Sequence, residues 1–382
     1  MVSGPYSQRV YAALTGPVEF ITGANVSTAA GLPLGTLDVL AGHITFDEEW
    51  APYVQATITA APAPFSIEPR IIPRLLLTAG YGYPDGTREV HQLANLSIVR
   101  TEVDEVKQTI TITARSDEAL VMGSGQYMNT AITNTYSSYG QGIQNALAAA
   151  LAGVTGHAFD NSLNDVTGPS MTGYIYQPGD SWWSHIESMR DSANGVVYCD
   201  EHRVWHIVRY ATDESPDLDA ISTGDAATTW PEPGYTARLE ILMEHAVSRD
   251  RETWGNAVLI TNNWTGADGL ARTRRGTAAA IIGPYGTQAV GVRLHSETRT
   301  APTTQTELDA AAQALLYRVH RRGETRTFAA RAAFWLRPRH LHRFWLSGVD
   351  AYFRITRVSY QLDGSGLMTF NVRTPEPEPV GS

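Results

Sequence analysis

The sequence is short of cysteine, lysine and long apolar runs. Cys199 is the single cysteine, so no intrachain disulfide can form and the redox compartment stays open. Lys107 is the one lysine among 29 basic residues. The formal net charge is −10. Neutralising phosphates needs a basic surface, so nucleic-acid binding, sequence-specific or otherwise, is not expected as a main task. No apolar run approaches the ~20 residues of a membrane helix, so no membrane anchor is expected. The opening Met-Val-Ser-Gly-Pro-Tyr lacks the cationic start and apolar centre of a signal peptide. No Gly-x-Ser-x-Gly elbow is present. Gly123-Ser-Gly125 and Gly283-Pro-Tyr-Gly286 lack the Lys-Ser/Thr of a phosphate loop and any βαβ context, so both read as turns.

What is present is an ordinary globular composition, 43% hydrophobic and 18% charged over 382 residues. That length suits two or three domains. Arg and Ala dominate, as in proteins of GC-rich genomes. The charge is split along the chain. Residues 1–240 carry 11 basic and 27 acidic groups, or −16, and residues 241–382 carry 18 and 12, or +6.

Residues 18–115 read as β-structure. Val54, Ala56, Ile58 and Ala60 alternate with Gln55, Thr57 and Thr59, and Ile110, Ile112 and Ala114 with threonines. Further strands are expected at 18–27, 37–46, 74–82 and 89–103, which suggests a small barrel or sandwich. After Asp117 the texture changes. Residues 141–152 are an Ala-rich helix, and the polar tracts 123–140 and 156–173 read as loops. Asp180 or Ser181 can cap a helix burying Trp182 or Trp183, Ile186, Met189 and Ala193. Asn194-Gly195 stops it, and a hairpin follows, 196–198 with 204–209. Residues 211–234 read as an acidic surface connection.

The last third carries the clearest signals. A strand at 255–261 precedes a helix at 306–322. Thr304 and Glu307 have capping-box spacing. Leu308, Ala311, Ala312, Leu315 and Val319 share one face, and Gly323 can close the helix. That face is expected to support a second barrel. Phe328, Ala330, Ala332, Phe334 and Leu336 alternate as a strand, Leu362–Gly366 is a hairpin turn, and Met368, Phe370 and Val372 point inward. The Pro-Glu repeats after Arg373 form an extended tail.

Candidate site residues stay few. Cys199, His202 and His206 have zinc-like spacing, but a hairpin explains them and no fourth ligand is evident. His340 and His342 sit near a loop end. Glu48/Glu49 and Asp213/Glu214 are carboxylate pairs of the kind glycosidases use, placed in turns without an apolar cleft. Trp182, Trp205 and Trp335 suit core positions as well as binding surfaces. No catalytic residue, cofactor or metal is expected.

Taken in order, three pieces resemble the baseplate-hub or tail-tip hub proteins of tailed bacteriophages, which include many minor tail proteins of phages infecting actinobacteria. They are the strand-rich half ending Ile110-Thr-Ile-Thr-Ala-Arg-Ser-Asp117, then Gly179-Asp-Ser-Trp-Trp with its helix and hairpin. The third is Asn256-Ala-Val-Leu-Ile with Gly283-Pro-Tyr-Gly, helix 306–322 and the strands Phe353–Val358 and Gly366–Arg373. The resemblance implies a mainly β (α+β) chain of two small β-barrels, at 1–116 and 241–374, with a helical and α/β insert at 117–240 and a tail at 375–382. It implies a homotrimer at the virion tail tip, assembled in the host cytoplasm, that closes the tail tube and forms part of the DNA channel. Its partners would be distal tail and tube proteins, tape measure, and tip fibres or spike. Leu336-Arg-Pro-Arg-His-Leu341 replaces the family's Pro-Gly-Asp turn. Many relatives carry a lysozyme or peptidase domain, for which no room follows Arg373. A receptor- or carbohydrate-binding module is the alternative, and a cell-wall hydrolase a lesser one.

Overall fold

A computed structural model of the chain describes residues 6, 9–10, 16–127, 129–130, 132–160, 171–193, 195–209, 237–238, 242–249, 251–266, 268–320, 324–339, 341–346 and 349–373. Asp213, Glu214, Gly323, His340, the connection 211–234 and the tail lie outside them.

The first part contains β1 (Glu19–Ser27), β2 (Pro33–Leu37), β3 (Val39–Asp47), β4 (Val54–Ala60), β5 (Arg74–Gly82), β6 (Arg88–Asp104) and β7 (Thr109–Arg115). The alternation works as expected: Val54, Ala56, Ile58 and Ala60 are buried while the residues between them are half-exposed. The stretch expected as one strand, 37–46, falls on two. β2 pairs with β1 and β3 with β4, so the chain changes place in the sheet at Asp38.

The insert contains α1 (Glu118–Met122), β8 (Ile132–Tyr136), α2 (Tyr139–Ala150), β9 (Ala158–Phe159), β10 (Met171–Tyr176), α3 (Trp182–Ser192), β11 (Gly195–Cys199) and β12 (Val204–Arg209). Ser138 caps α2 by accepting from Gln141 N at 3.2 Å. Ser181 caps α3 by accepting from Trp183 N at 3.2 Å. Trp183, not Trp182, is the fully buried tryptophan of the pair. The tracts 123–140 and 156–173 are not wholly loop, because β8 and β10 pair antiparallel. Their polar sequence hides this. The apolar content comes from Tyr136 and Tyr176, buried with their hydroxyls 2.9 Å apart.

The last part contains β13 (Ala237–Arg238), β14 (Leu242–Arg249), β15 (Ala257–Thr265), β16 (Ala271–Ala279), α4 (Thr287–Val290), β17 (Leu294–Arg299), α5 (Gln305–His320), β18 (Glu324–Arg331), β19 (Leu341–Leu346), β20 (Val349–Gln361) and β21 (Leu367–Arg373). His342 lies on β19, opposite Phe353, rather than at a loop end.

Thirteen strands form one large sheet, and its main path runs β14-β18-β21-β20-β3-β4-β7-β6-β5-β1-β2. Every pairing on that path is antiparallel. Where two barrels were expected, the described strands trace a single open path without closure. The join is β3 with β20, where His43–Asp47 pair with Arg357–Gln361. β3 is paired on both edges, so first and last parts share one sheet. They also share one core, in which Phe46, Ile58, Leu75 and Tyr81 pack with Phe328, Phe334, Tyr360 and Phe370. A second core fills the insert around Ile143, Trp183, Ile186 and Trp205.

α5 departs from expectation in its partner. Its reciprocal cap forms: Thr304 N donates to Glu307 Oε2 at 2.9 Å, and Glu307 N donates to Thr304 Oγ1 at 3.2 Å. Its apolar face is buried, but not on the large sheet. It packs Leu308, Leu315 and Val319 on Val258 and Ile260 of a separate three-stranded sheet, β16-β15-β17. Gly276 permits this approach, since a Cβ there would lie 2.6 Å from Leu308 O. β15 and β17 run parallel.

Candidate functional site

The most strongly built polar site is a buried ionic junction where β7 leaves the large sheet. Asp117, the N-cap of α1, is fully buried. One carboxylate oxygen accepts from Arg74 Nη1 at 2.6 Å and Ser97 Oγ at 3.0 Å. The other accepts from Arg203 Nε at 2.9 Å. Arg74 and Ser97 belong to the large sheet and Arg203 to the turn between β11 and β12. One carboxylate thus ties two cores together. Burial alone would raise its pKa. The two guanidiniums outweigh that and hold it below the ordinary carboxylate range.

Glu118, the next residue, makes the same link with backbone. Its Oε1 accepts from Tyr53 N at 3.2 Å and Cys199 N at 2.8 Å. Burial pushes its pKa up to about 7, against the lowering effect of those N–H donors. A buried charge with too few partners favours its neutral form.

The β11–β12 hairpin is gripped from both sides. Asn95 N and Gln92 Nε2 donate to Glu201 O at 2.9 and 3.2 Å. From the last part, Arg337 Nε donates to Glu201 Oε1 at 2.5 Å. Burial opposes the Arg337 charge, but Glu201 holds its pKa above the ordinary value. Arg339 lies over the Tyr198 ring at 3.9 Å.

The spaced Cys199, His202 and His206 are each engaged otherwise. Cys199 is buried, and burial pushes its thiol pKa up. His202 Nδ1 is 3.1 Å from Gln92 Nε2. His206 stacks on Tyr198 and bonds Asp200 at 3.0 Å. No cluster of three or more metal-ligating side chains occurs among the described residues. Glu48 and Glu49 serve the β3–β20 join. Glu48 accepts from Arg354 at 3.2 Å and Arg373 at 2.7 Å, and Glu49 from Arg373 at 2.7 Å. Burial pushes neighbouring Asp47 up to about 6. Beside them opens a polar cleft lined by Trp50, Asp191, Glu297, Arg299 and Arg318. Trp205 is buried in the insert, whereas Trp182 and Trp335 are partly buried against their cores.

Sequence reasoning missed Asp117 and Glu118 as a site. Neither belongs to a motif, and their arginine partners lie 43 and 86 residues away from Asp117. The arrangement positions three pieces of chain; its carboxylates are committed to arginines or backbone N–H groups.

No protein-family model matches the chain, and no curated protein matches it. Solved structures do match. A tail protein from Neisseria meningitidis aligns with a TM-score of 0.57 and 11% identity, over 92% of this chain and 96% of that one. A 43 kDa prophage tail protein from Shewanella oneidensis aligns at 0.55 and 11%, over 92% and 98%. A prophage tail protein from Listeria monocytogenes aligns at 0.51 and 11%, over 93% and 95%. At such identity the likeness to these tail proteins is one of fold alone.

Proposed function

We propose that this chain is a hub protein at the tip or baseplate of a phage tail. In this reading it assembles as a homotrimer around an axial channel, closes the tail tube and anchors the tip components. The observation that carries it is the end-to-end fold match to tail proteins of nearly the same length. The role is structural rather than enzymatic, which accords with carboxylates spent on joining strands. The two domains expected at 1–116 and 241–374 would be centred on the parts of the large sheet on either side of the β3–β20 join, with 117–240 as insert. Three such chains match a sixfold tube. Among the described residues β2 and β14 end the path, and such edges suit a closed ring, which protects strand edges from open-ended pairing. The location is the virion tail tip, and the Arg- and Ala-rich composition fits an actinobacterial host. Distal tail, tube, tape-measure and fibre or spike proteins are the neighbours.

A channel for duplex DNA should be neutral or acidic, because a basic lining would hold the phosphates. The −16 of residues 1–240 supplies such a wall. Arg272, Arg274 and Arg275, on β16, would then face elsewhere. Arg272 already pairs with Asp268 at 2.9 Å. Electron cryomicroscopy of the assembled tail tip tests the proposal. Three copies around the axis are expected; one axial copy or a ring of six would refute the trimer, and a channel walled by those arginines the electrostatics.

A further inference from the structure

The loop between β16 and β17 carries apolar side chains that no core absorbs. Ile281, Ile282, Tyr285, Val290, Val292 and Leu294 are exposed, Ile282 by 82% and Val292 by 72%. The 17 residues from Gly276 to Val292 include no Asp, Glu, Lys, Arg or His. The loop also stands at an extremity. β17 begins beside it at Leu294 and ends at Arg299, which bonds Asp191 O of the insert. The insert therefore holds the far end of this unit, roughly 20 Å away along the strand.

The loop is held in one shape, and it satisfies much of its own backbone. Buried Asn256 donates to Tyr285 O at 3.1 Å and Gly291 O at 2.8 Å, and accepts from Arg293 N at 2.7 Å. Thr287 N donates to Ala280 O at 2.8 Å, Gly286 N to Gly283 O and Gly291 N to Thr287 O at 3.1 Å. A Cβ on Gly286 would lie 2.5 Å from Ile281 O, so only glycine lets the loop close. Backbone groups paired inside the loop need no water, and an unpaired one is costly in lipid.

The surroundings indicate the occupant. Half-buried Trp254, just before β15, meets Tyr285 edge-on at 6.2 Å and His320 at 5.8 Å. Arg251, Glu252 and Arg293 line the groove beside them, so the rim carries both signs of charge. Exposed aliphatic side chains, a Trp–Tyr pair and a mixed-charge rim match the layers of a bilayer surface: acyl chains, the interface that Trp and Tyr favour, and zwitterionic headgroups. The six side chains present on the order of 600 Å², large for a patch on a monomer. A standard protein interface takes about 800 Å² from each partner, which this patch does not reach.

We infer that the 281–294 loop is a peripheral contact for a lipid bilayer with zwitterionic headgroups. The contact lies on the membrane and does not span it; no described helix is long and apolar enough to cross. The inference goes beyond the hub reading and does not depend on the trimer. Flotation of the full chain with vesicles of phosphatidylcholine and phosphatidylethanolamine tests it, with circular dichroism confirming that each variant is folded. Wild type should float with the vesicles. Ile282→Asp puts a carboxylate on the most exposed apolar position and should lower the partition coefficient ~tenfold or more. Ile282→Trp should raise it, because Trp favours the membrane–water interface. Added salt should weaken neither, since salt screens charge and not apolar burial. A wild type that stays at the bottom of the gradient overturns the inference and leaves the hub reading standing. Flotation that Ile282→Asp leaves intact overturns it too, because another surface would then hold the lipid. Flotation only on anionic phosphatidylglycerol vesicles, lost in salt, would show a charge-driven contact and overturn it. A map of the assembled tail tip with another protein chain seated on the loop would assign it a protein partner instead.

Discussion

Two units flank the large sheet, and they are secured by different physics. The insert is fixed by buried charge: Asp117 spans two cores through Arg74 and Arg203, and Glu118 accepts backbone N–H groups from both sides. The β15–β17 unit is secured by a thin apolar layer of eight buried residues, six on α5 itself and two on β15. It meets the insert through a short segment, where Tyr139 Oη donates to Pro302 O at 2.5 Å and Ser188 Oγ lies 2.7 Å from Thr300 Oγ1. Ionic pins specify one orientation, since each donor has a fixed direction. An apolar layer tolerates sliding and gains from being covered further. The pinned unit therefore suits rigid positioning, and the thinly packed one, with its exposed loop, suits docking.

The comparison breaks most sharply at Asp117. Asp117→Ala would strand two buried guanidiniums, and removing one partner of a buried ion pair costs about 3–5 kcal/mol. Urea titration should show that loss, and hydrogen exchange should show the β11–β12 hairpin opening first. An unchanged midpoint would mean the junction does not hold the insert.

On the other side, Leu315→Ala should cost roughly 2–5 kcal/mol, as core truncations do. Exchange should then speed up in β15, β16 and α5 and leave the insert protected. A loss below about 0.5 kcal/mol would mean that the helix face contributes little.

A pH series sharpens the contrast, because Glu118, a carboxyl that burial raises, sits in the insert junction. Glu118 binds its proton more tightly folded, near 7, than unfolded, near 4.5. In that window the folded state holds more protons, so stability falls as pH rises from about 4.5 to about 7. The amount is roughly 3 kcal/mol. Asp47, raised to about 6, acts in the same direction at lower pH. Glu118→Gln, which keeps an acceptor oxygen, should flatten the slope between pH 5 and 7. A variant with the wild-type slope would assign it to another group.

The smallest expected effect is at the cap of α5. Thr304→Ala removes one half of the reciprocal box and should cost about 1 kcal/mol, read as a small drop in the midpoint of the β15–β17 unit alone. A loss spread equally over the insert would show that the two units unfold together.

Local chemistry was legible in the sequence wherever one residue's neighbours along the chain decide its state. Alternation at 54–60 and 109–115 set the strands and their inward faces, because a half-buried strand repeats every two residues. The Thr304/Glu307 spacing set the start of α5, because both partners lie within one turn. The fold class followed from these pieces in order. Tertiary structure decided what depends on distant partners. β3 turned out to pair with β20 some 300 residues later, which merged two expected barrels into one open sheet. α5 showed a face with no address, and the folded chain gave it β15 and β16 rather than the large sheet. Asp117 is one acid among many until Arg74 and Arg203 converge on it. A periodic pattern states that a face will be buried; which surface buries it is settled by the chain's return from far away.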